Sequence, residues 1–100
     1  MSVIIAGTVR VPPGNLPALK PHMLAMLQAS RAEDGCLDYS YGEDVAEPGL
    51  IRVFEVWRDQ ATIDAHFKTE HMATWRAAGA ELGISDRKLF VYETASQRSL

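Results

Sequence analysis

An antiparallel four-stranded sheet with helices on one face, in the order β-α-β-β-α-β, is the fold class this sequence predicts. Three observations predict it. β-branched or alternating runs recur at residues 3–11, 37–42, 50–57 and 89–94, and each is bounded by turn-forming residues. Between the first and second runs, and again between the third and fourth, apolar residues recur at helical spacing. Only residues 43–49, ending in the turn "AEPG" at 46–49, separate the second run from the third. This order is the ferredoxin-like split βαβ arrangement of an α+β domain.

Taken along the chain, Val3 to Val11 is rich in β-branched residues and stops at Pro12-Pro13-Gly14, giving the first strand. Asn15 is a candidate N-cap for a helix with Leu19, Met23, Met26, Leu27 and Ser30 on one stripe. Pro21 either lies in that helix's first turn or kinks it, and Gly35 is the expected C-terminal stop. Leu37, Tyr39 and Tyr41 alternate with Asp38, Ser40 and Gly42 in a second strand, and Leu50 to Trp57 forms the third. Asp59 can cap a short helix reaching Phe67, with Ile63 and Phe67 on one face. Thr69 or Glu70 opens another helical stretch, whose Met72, Trp75, Gly79 and Leu82 keep helical spacing until Gly83. Leu89 to Thr94 is the last strand.

Residues 1–100 are expected to form a single domain, with 47% hydrophobic and 23% charged residues, which speaks against disorder. A net charge of -3 without a basic run gives no reason to expect nucleic acid as a partner. Cys36 is the only cysteine, so no intrachain disulfide or thiolate cluster can form, as expected of a reducing compartment. The apolar run in "MSVIIAGTVR" is too short for a membrane span and lacks the basic start of a signal peptide, so no membrane association and a cytoplasmic location are expected.

A sheet covered by helices on one side and wetted on the other should alternate apolar and polar residues. These strands do not. Val3, Ile5 and Val9 oppose Ile4 and Ala6; Ile51, Val53 and Trp57 oppose Phe54 and Val56; Leu89 and Val91 oppose Phe90 and Tyr92. A second copy packed sheet to sheet is the expected cover, giving a homodimer.

The stretch "FEVWRDQATIDAHFKTEHMATW", 54–75, holds both tryptophans and two of the three histidines. Glu55 and Trp57 share a strand face, and His66 follows beside the Ile63/Phe67 face of the short helix. The turn can therefore bring Glu55, Trp57 and His66 towards one cavity. There a carboxylate-oriented imidazole beside an apolar pocket would abstract a proton near neutral pH. On the residues alone, Trp57 as core and His66 as a hydrogen-bonded helix residue is the competing reading. His71, five residues beyond His66, is poorly spaced for a zinc pair and is expected at a rim, with no metal. Arg76 could anchor an anionic oxygen, while Tyr39 and Tyr41 are strand residues with hydroxyls to offer. No G-x-G-x-x-G follows any strand, so no nucleotide cofactor motif is present. Cys36 has no activating neighbour in sequence, and His22 is expected at the surface.

The segments "EVWRDQATIDAHFKTEHMATW" and "SRAEDGCLDYSYGED" resemble the antibiotic biosynthesis monooxygenase family, and in particular its small quinol-type members. The resemblance spans essentially the whole chain. It implies a dimeric α+β barrel and, in the enzymatic members, oxygenation of a small phenol or quinol by dioxygen without flavin, haem or metal. It places Trp57 at the family's pocket tryptophan, Glu55 and His66 at its acid and imidazole positions, and His71 at a second histidine. On this implication Glu55, Trp57 and His66 are the catalytic candidates, with Phe67, His71, Trp75, Arg76 and Tyr41 against the substrate. The chain departs from the haem-degrading relatives, with Ala6 and Gly7 in place of a first-strand asparagine, His66 in place of a helix tryptophan, and Arg76 near the axial position. It departs from the pigment-tailoring oxygenases at Val53, where they carry an asparagine. Besides the monooxygenase, a proton-shuffling isomerase or carbonyl detoxifier and a non-catalytic ligand-binding dimer are compatible with the same barrel.

Overall fold

The computed structural model describes residues 2–100. Its elements are β1 (Val3–Arg10), a 3-10 turn at Pro13–Asn15, α1 (Leu16–Arg31), β2 (Cys36–Glu43), β3 (Leu50–Trp57), α2 (Gln60–Phe67), α3 (Glu70–Leu82) and β4 (Ser85–Glu93). The four strands form one antiparallel sheet in the order β2-β3-β1-β4, the ferredoxin-like α+β arrangement. No helix among the described residues is long and apolar enough to cross a membrane.

Local chemistry explains most of the boundaries. Asp59 accepts from the backbone N–H of Thr62, and the Thr62 hydroxyl accepts from that of Asp59, a reciprocal cap at the start of α2. Thr69 caps α3 one way, its hydroxyl accepting from the backbone N–H of Met72, and Gly83 ends the helix in the left-handed region at φ 85°. Asn15 precedes α1 but makes no side-chain cap there; its amide instead donates to the Leu82 carbonyl at the end of α3. Pro21 lies inside α1, beyond the first turn, on an exposed position where the carbonyl it leaves free can meet water.

Two expected boundaries shift. α1 stops at Arg31 rather than running to Gly35. Gly35 instead takes φ +84° in the turn to β2, where a Cβ would lie 2.3 Å from Thr62 Cγ2. That close approach seats the α1–β2 loop against the start of α2. β4 begins at Ser85 rather than Leu89, because Arg10 of β1 pairs with Ser85 across a bulge that an alternation rule does not register. A second bulge, between Cys36 and Asp38, turns Leu37 away from the Tyr39 and Tyr41 face and leaves it exposed.

The core lies between the sheet and the helices. One buried cluster gathers Val3, Ile5, Met26, Tyr39, Trp57 and Ile63, and a second gathers Val9, Val11, Leu16, Leu19 and Ile51. The other sheet face is uncovered in the single chain: Phe54, Phe90 and Tyr92 are 41%, 59% and 51% exposed. They are contiguous across the register, since Ala6 pairs with both Phe54 and Phe90, and Ile4 with both Val56 and Tyr92.

Candidate functional site

A cavity of about 200 Å³ opens between the sheet and helices α2 and α3. Its walls are mostly apolar, from Ile5, Val53 and Leu89 on the sheet and from Phe67, Met72 and Trp75 on the helices. Trp75 stacks on Tyr41 with centroids 5.4 Å apart and planes 18° from parallel, a flat surface suited to an aromatic ring. The polar groups that reach the cavity are Tyr39, Tyr41, Glu55, His66 and Arg87.

His66 is placed by α2, whose register is set by the Asp59 cap, and its side chain is 1% exposed. The Trp57 indole lies 4.7 Å from it, centroid to centroid, and the Tyr39 ring 5.6 Å from it. Its Nδ1 is 2.5 Å from Glu33 Oε2, and the same oxygen is 2.8 Å from His71 Nε2. Since a carboxylate only accepts, each imidazole nitrogen facing Glu33 carries its hydrogen. His66 is thereby held with Nδ1–H towards Glu33 and with a lone pair on Nε2. Burial pushes its pKa below the ordinary imidazole value, against the opposing pull of Glu33, so the neutral ring is the resting form.

The carboxylate beside His66 is therefore Glu33, not Glu55. Glu33 lies in the loop between α1 and β2, which the strand register carries to this end of the sheet, since Cys36 pairs with Trp57. The backbone N–H of Arg58 donates to the Gly35 carbonyl at 2.8 Å, and the Arg58 guanidinium makes two hydrogen bonds to Asp34, pinning the loop to the β3–α2 turn. Sequence reasoning passed over Glu33. The available signal is topological: the pairing of β2 with β3 carries the acids of the α1–β2 loop, Glu33 and Asp34, to the strand-to-helix turn.

Glu55 has another role. It is 5% exposed, and its Oε1 accepts from the Trp57 indole N–H at 2.9 Å. Burial, with the nearby Glu33 charge, raises its pKa to about 7 against the help of that hydrogen bond. Glu55 thus stands near half-protonation at neutral pH inside the cavity. Trp57 is 0% exposed and does not line the cavity; paired with Val3 and Cys36, it is sealed in the core behind His66 and Glu55.

Of the remaining expected contacts, Phe67, Trp75 and Tyr41 line the cavity. Arg76 does not: its guanidinium turns back to donate to the Phe67 carbonyl at the end of α2. The cation on the cavity wall is Arg87, brought there by the early start of β4. His71 lies outside this cavity, against a separate recess between α1 and α3. Its distance in sequence from His66 misleads, because the chain turns at Lys68 and Thr69 and folds the two rings to 5.8 Å. The Tyr39 and Tyr41 hydroxyls hydrogen-bond each other at 2.9 Å, and burial pushes both pKa values up, so neither is a base. Burial likewise lifts the Cys36 thiol to about 11, which leaves it unreactive.

Glu33, His66 and His71 also form a group whose ligand atoms all lie within 4.8 Å of one another. Their closest contacts of 2.5 and 2.8 Å are hydrogen-bond separations. Two donors around a tetrahedral zinc, each at about 2.0–2.2 Å, would stand about 3.4 Å apart. As arranged, the three side chains satisfy one another.

Comparison with known proteins identifies the family and the fold. Residues 2–78 match the model of the antibiotic biosynthesis monooxygenase family. A Mycobacterium tuberculosis protein named "Putative monooxygenase Rv0793" is 37% identical over 65 residues, covering 65% of this chain and 63% of that one. Its solved structure superposes with a TM-score of 0.78 at 28% identity, over 99% of this chain and 98% of that one. A Deinococcus radiodurans structure described as "a putative antibiotic biosynthesis monooxygenase" superposes with a TM-score of 0.89 at 25% identity, over 100% and 98% of the two chains. The match to the family model and the superposed folds lead to one assignment: the chain belongs to the antibiotic biosynthesis monooxygenase family.

Proposed function

We propose that this protein is a monooxygenase that oxidises a small quinol or phenol with dioxygen, without flavin, haem or metal, and that His66 is its general base. The observation that carries the reading is a buried imidazole, hydrogen-bonded to Glu33 through Nδ1, on the wall of an apolar cavity. About 200 Å³ is below the roughly 300–1,000 Å³ of drug-sized sites. It suits one or two rings, laid against the Tyr41–Trp75 stack.

His66 Nε2 takes the hydroxyl proton, and the Glu33 carboxylate stabilises the imidazolium that results. The electron-rich ring anion then reduces dioxygen and bonds to it. The resulting ring hydroperoxide is protonated and loses water, leaving a carbonyl. For a quinol the balance is quinol plus O₂ to hydroxyquinone plus water. Glu55, near half-protonation, and the Tyr41 hydroxyl are the donors available to the developing oxyanion.

The active unit in this proposal is a homodimer. The Phe54, Phe90 and Tyr92 face is apolar and contiguous, and a second copy packed against it would bury it. Because β4 also supplies cavity residues such as Arg87 and Leu89, such a partner would stiffen the cavity's outer strand.

Oxygen uptake tests the reaction, using one-ring and two-ring hydroquinones with autoxidation subtracted. The wild-type protein should consume oxygen above background, and His66→Ala should lower turnover by roughly 10²–10⁴-fold while remaining folded. No uptake with any hydroquinone or phenol would sink the reaction, and wild-type turnover by His66→Ala would sink the base. A small-carbonyl isomerase could use the same Glu55 and His66 pair, but it would consume no oxygen.

A further inference from the structure

Two imidazoles divide one carboxylate oxygen, and they face different surroundings. His66 is 1% exposed on the cavity wall, whereas His71 is 26% exposed. His71 opens on the recess it shares with His22, Met26 and Trp75. Glu33 Oε2 joins the two rings and lines neither space.

We propose that His71 is a positioning residue that acts through Glu33, setting the basicity of His66 according to its own protonation state. The inference rests on His66 being the base, and it makes the cavity's base answer to the charge on a ring in the neighbouring recess.

The physics is a competition for one charge. A carboxylate in contact with an imidazole favours the cation. When His71 is neutral, the Glu33 charge is available to the imidazolium that forms on His66 during proton abstraction. When His71 is protonated, it neutralises Glu33 and repels a second cation 5.8 Å away. His66 then holds protons more weakly and stays in its free-base form to lower pH, but as a weaker base.

The other groups facing His66 do not supply this control. Arg76 on α3 is always charged and also disfavours the imidazolium. Tyr39 on β2 stays neutral because burial raises its pKa, and Trp57 on β3 does not titrate. Glu55, on the same cavity, titrates near 7 and would appear as a second inflection. From α1, His22 reaches the recess but not the cavity.

The experiment is a titration of the ¹⁵N-labelled full chain without substrate, following the ring nitrogens of all three histidines by NMR. His66 should show the Nδ1–H tautomer at neutral pH, and His71→Phe should raise its midpoint by about one pH unit. In a Glu33→Gln background the same substitution should produce less than half that rise, because the shared carboxylate is gone. His71→Gln, a neutral donor that can still reach Glu33, should give a midpoint between those of wild type and His71→Phe. That comparison decides the matter if Glu33→Gln does not fold. An unmoved His66 midpoint in His71→Phe overturns the proposal. So does an undiminished rise in the Glu33→Gln background, or a His71→Gln midpoint at or above that of His71→Phe. Because no substrate is involved, failure here is distinct from failure of the oxygen-uptake test.

Discussion

Replacing Glu55 with glutamine should remove part of the protein's pH dependence of stability. The carboxyl is 5% exposed, and its pKa moves from 4.5 to about 7 on folding. A raised pKa means that the folded state binds the proton more tightly than the unfolded chain. Stability from this group is therefore fully present below pH 4.5 and is lost as pH rises through 7. The complete loss is the shift of about 2.5 pH units at 1.36 kcal/mol each, about 3 kcal/mol. Between pH 5 and pH 8.5 about 2–3 kcal/mol of it falls within range. Glutamine keeps an oxygen for the Trp57 indole N–H and cannot ionise, so Glu55→Gln should lose none of it. Urea unfolding across that pH range, at one fixed protein concentration, gives the difference between the two curves and cancels every other titrating group. Glu55→Gln should gain on the wild type as pH rises. Parallel curves would show that Glu55 is charged and hydrated at neutral pH, and would remove it as a proton donor in the cavity.

Two further outcomes follow from the packing. Trp57→Ala should destabilise the protein by about 3–5 kcal/mol in the same unfolding assay, since the indole is wholly buried behind His66 and Glu55. A loss under 1 kcal/mol would contradict that placement. Phe54→Glu puts a charge in the middle of the open sheet face, paired with Ala6 and 41% exposed in the single chain. Light scattering at micromolar concentration should show a dimer for the wild-type protein and a monomer for the variant, and a wild-type monomer would refute the proposed assembly.

The elements of this fold follow from local signals. β3 spans Leu50–Trp57 because "AEPG" and Asp59 punctuate its two ends, and α3 ends at Gly83 because a left-handed residue is needed there. The two-faced apolar pattern of β1, β3 and β4 is equally a property of the sequence, since alternation alone assigns residues to faces. So is the presence of His66 and Glu55 on the cavity side of their elements. The partner of each acid and base is different, because it depends on contacts between residues far apart in the chain. Glu33 meets His66 across 33 positions, through the β2–β3 register and the close seat of Gly35 on Thr62. No periodicity carries that information. The exchange of Arg76 for Arg87 on the cavity wall depends on a bulge in β1 pairing, and the withdrawal of Trp57 from the cavity depends on what packs in front of it. Local pattern determines which face a side chain takes. Tertiary structure alone determines which charge it meets there, because a hydrogen bond is decided within a few tenths of an ångström and hydropathy only by side.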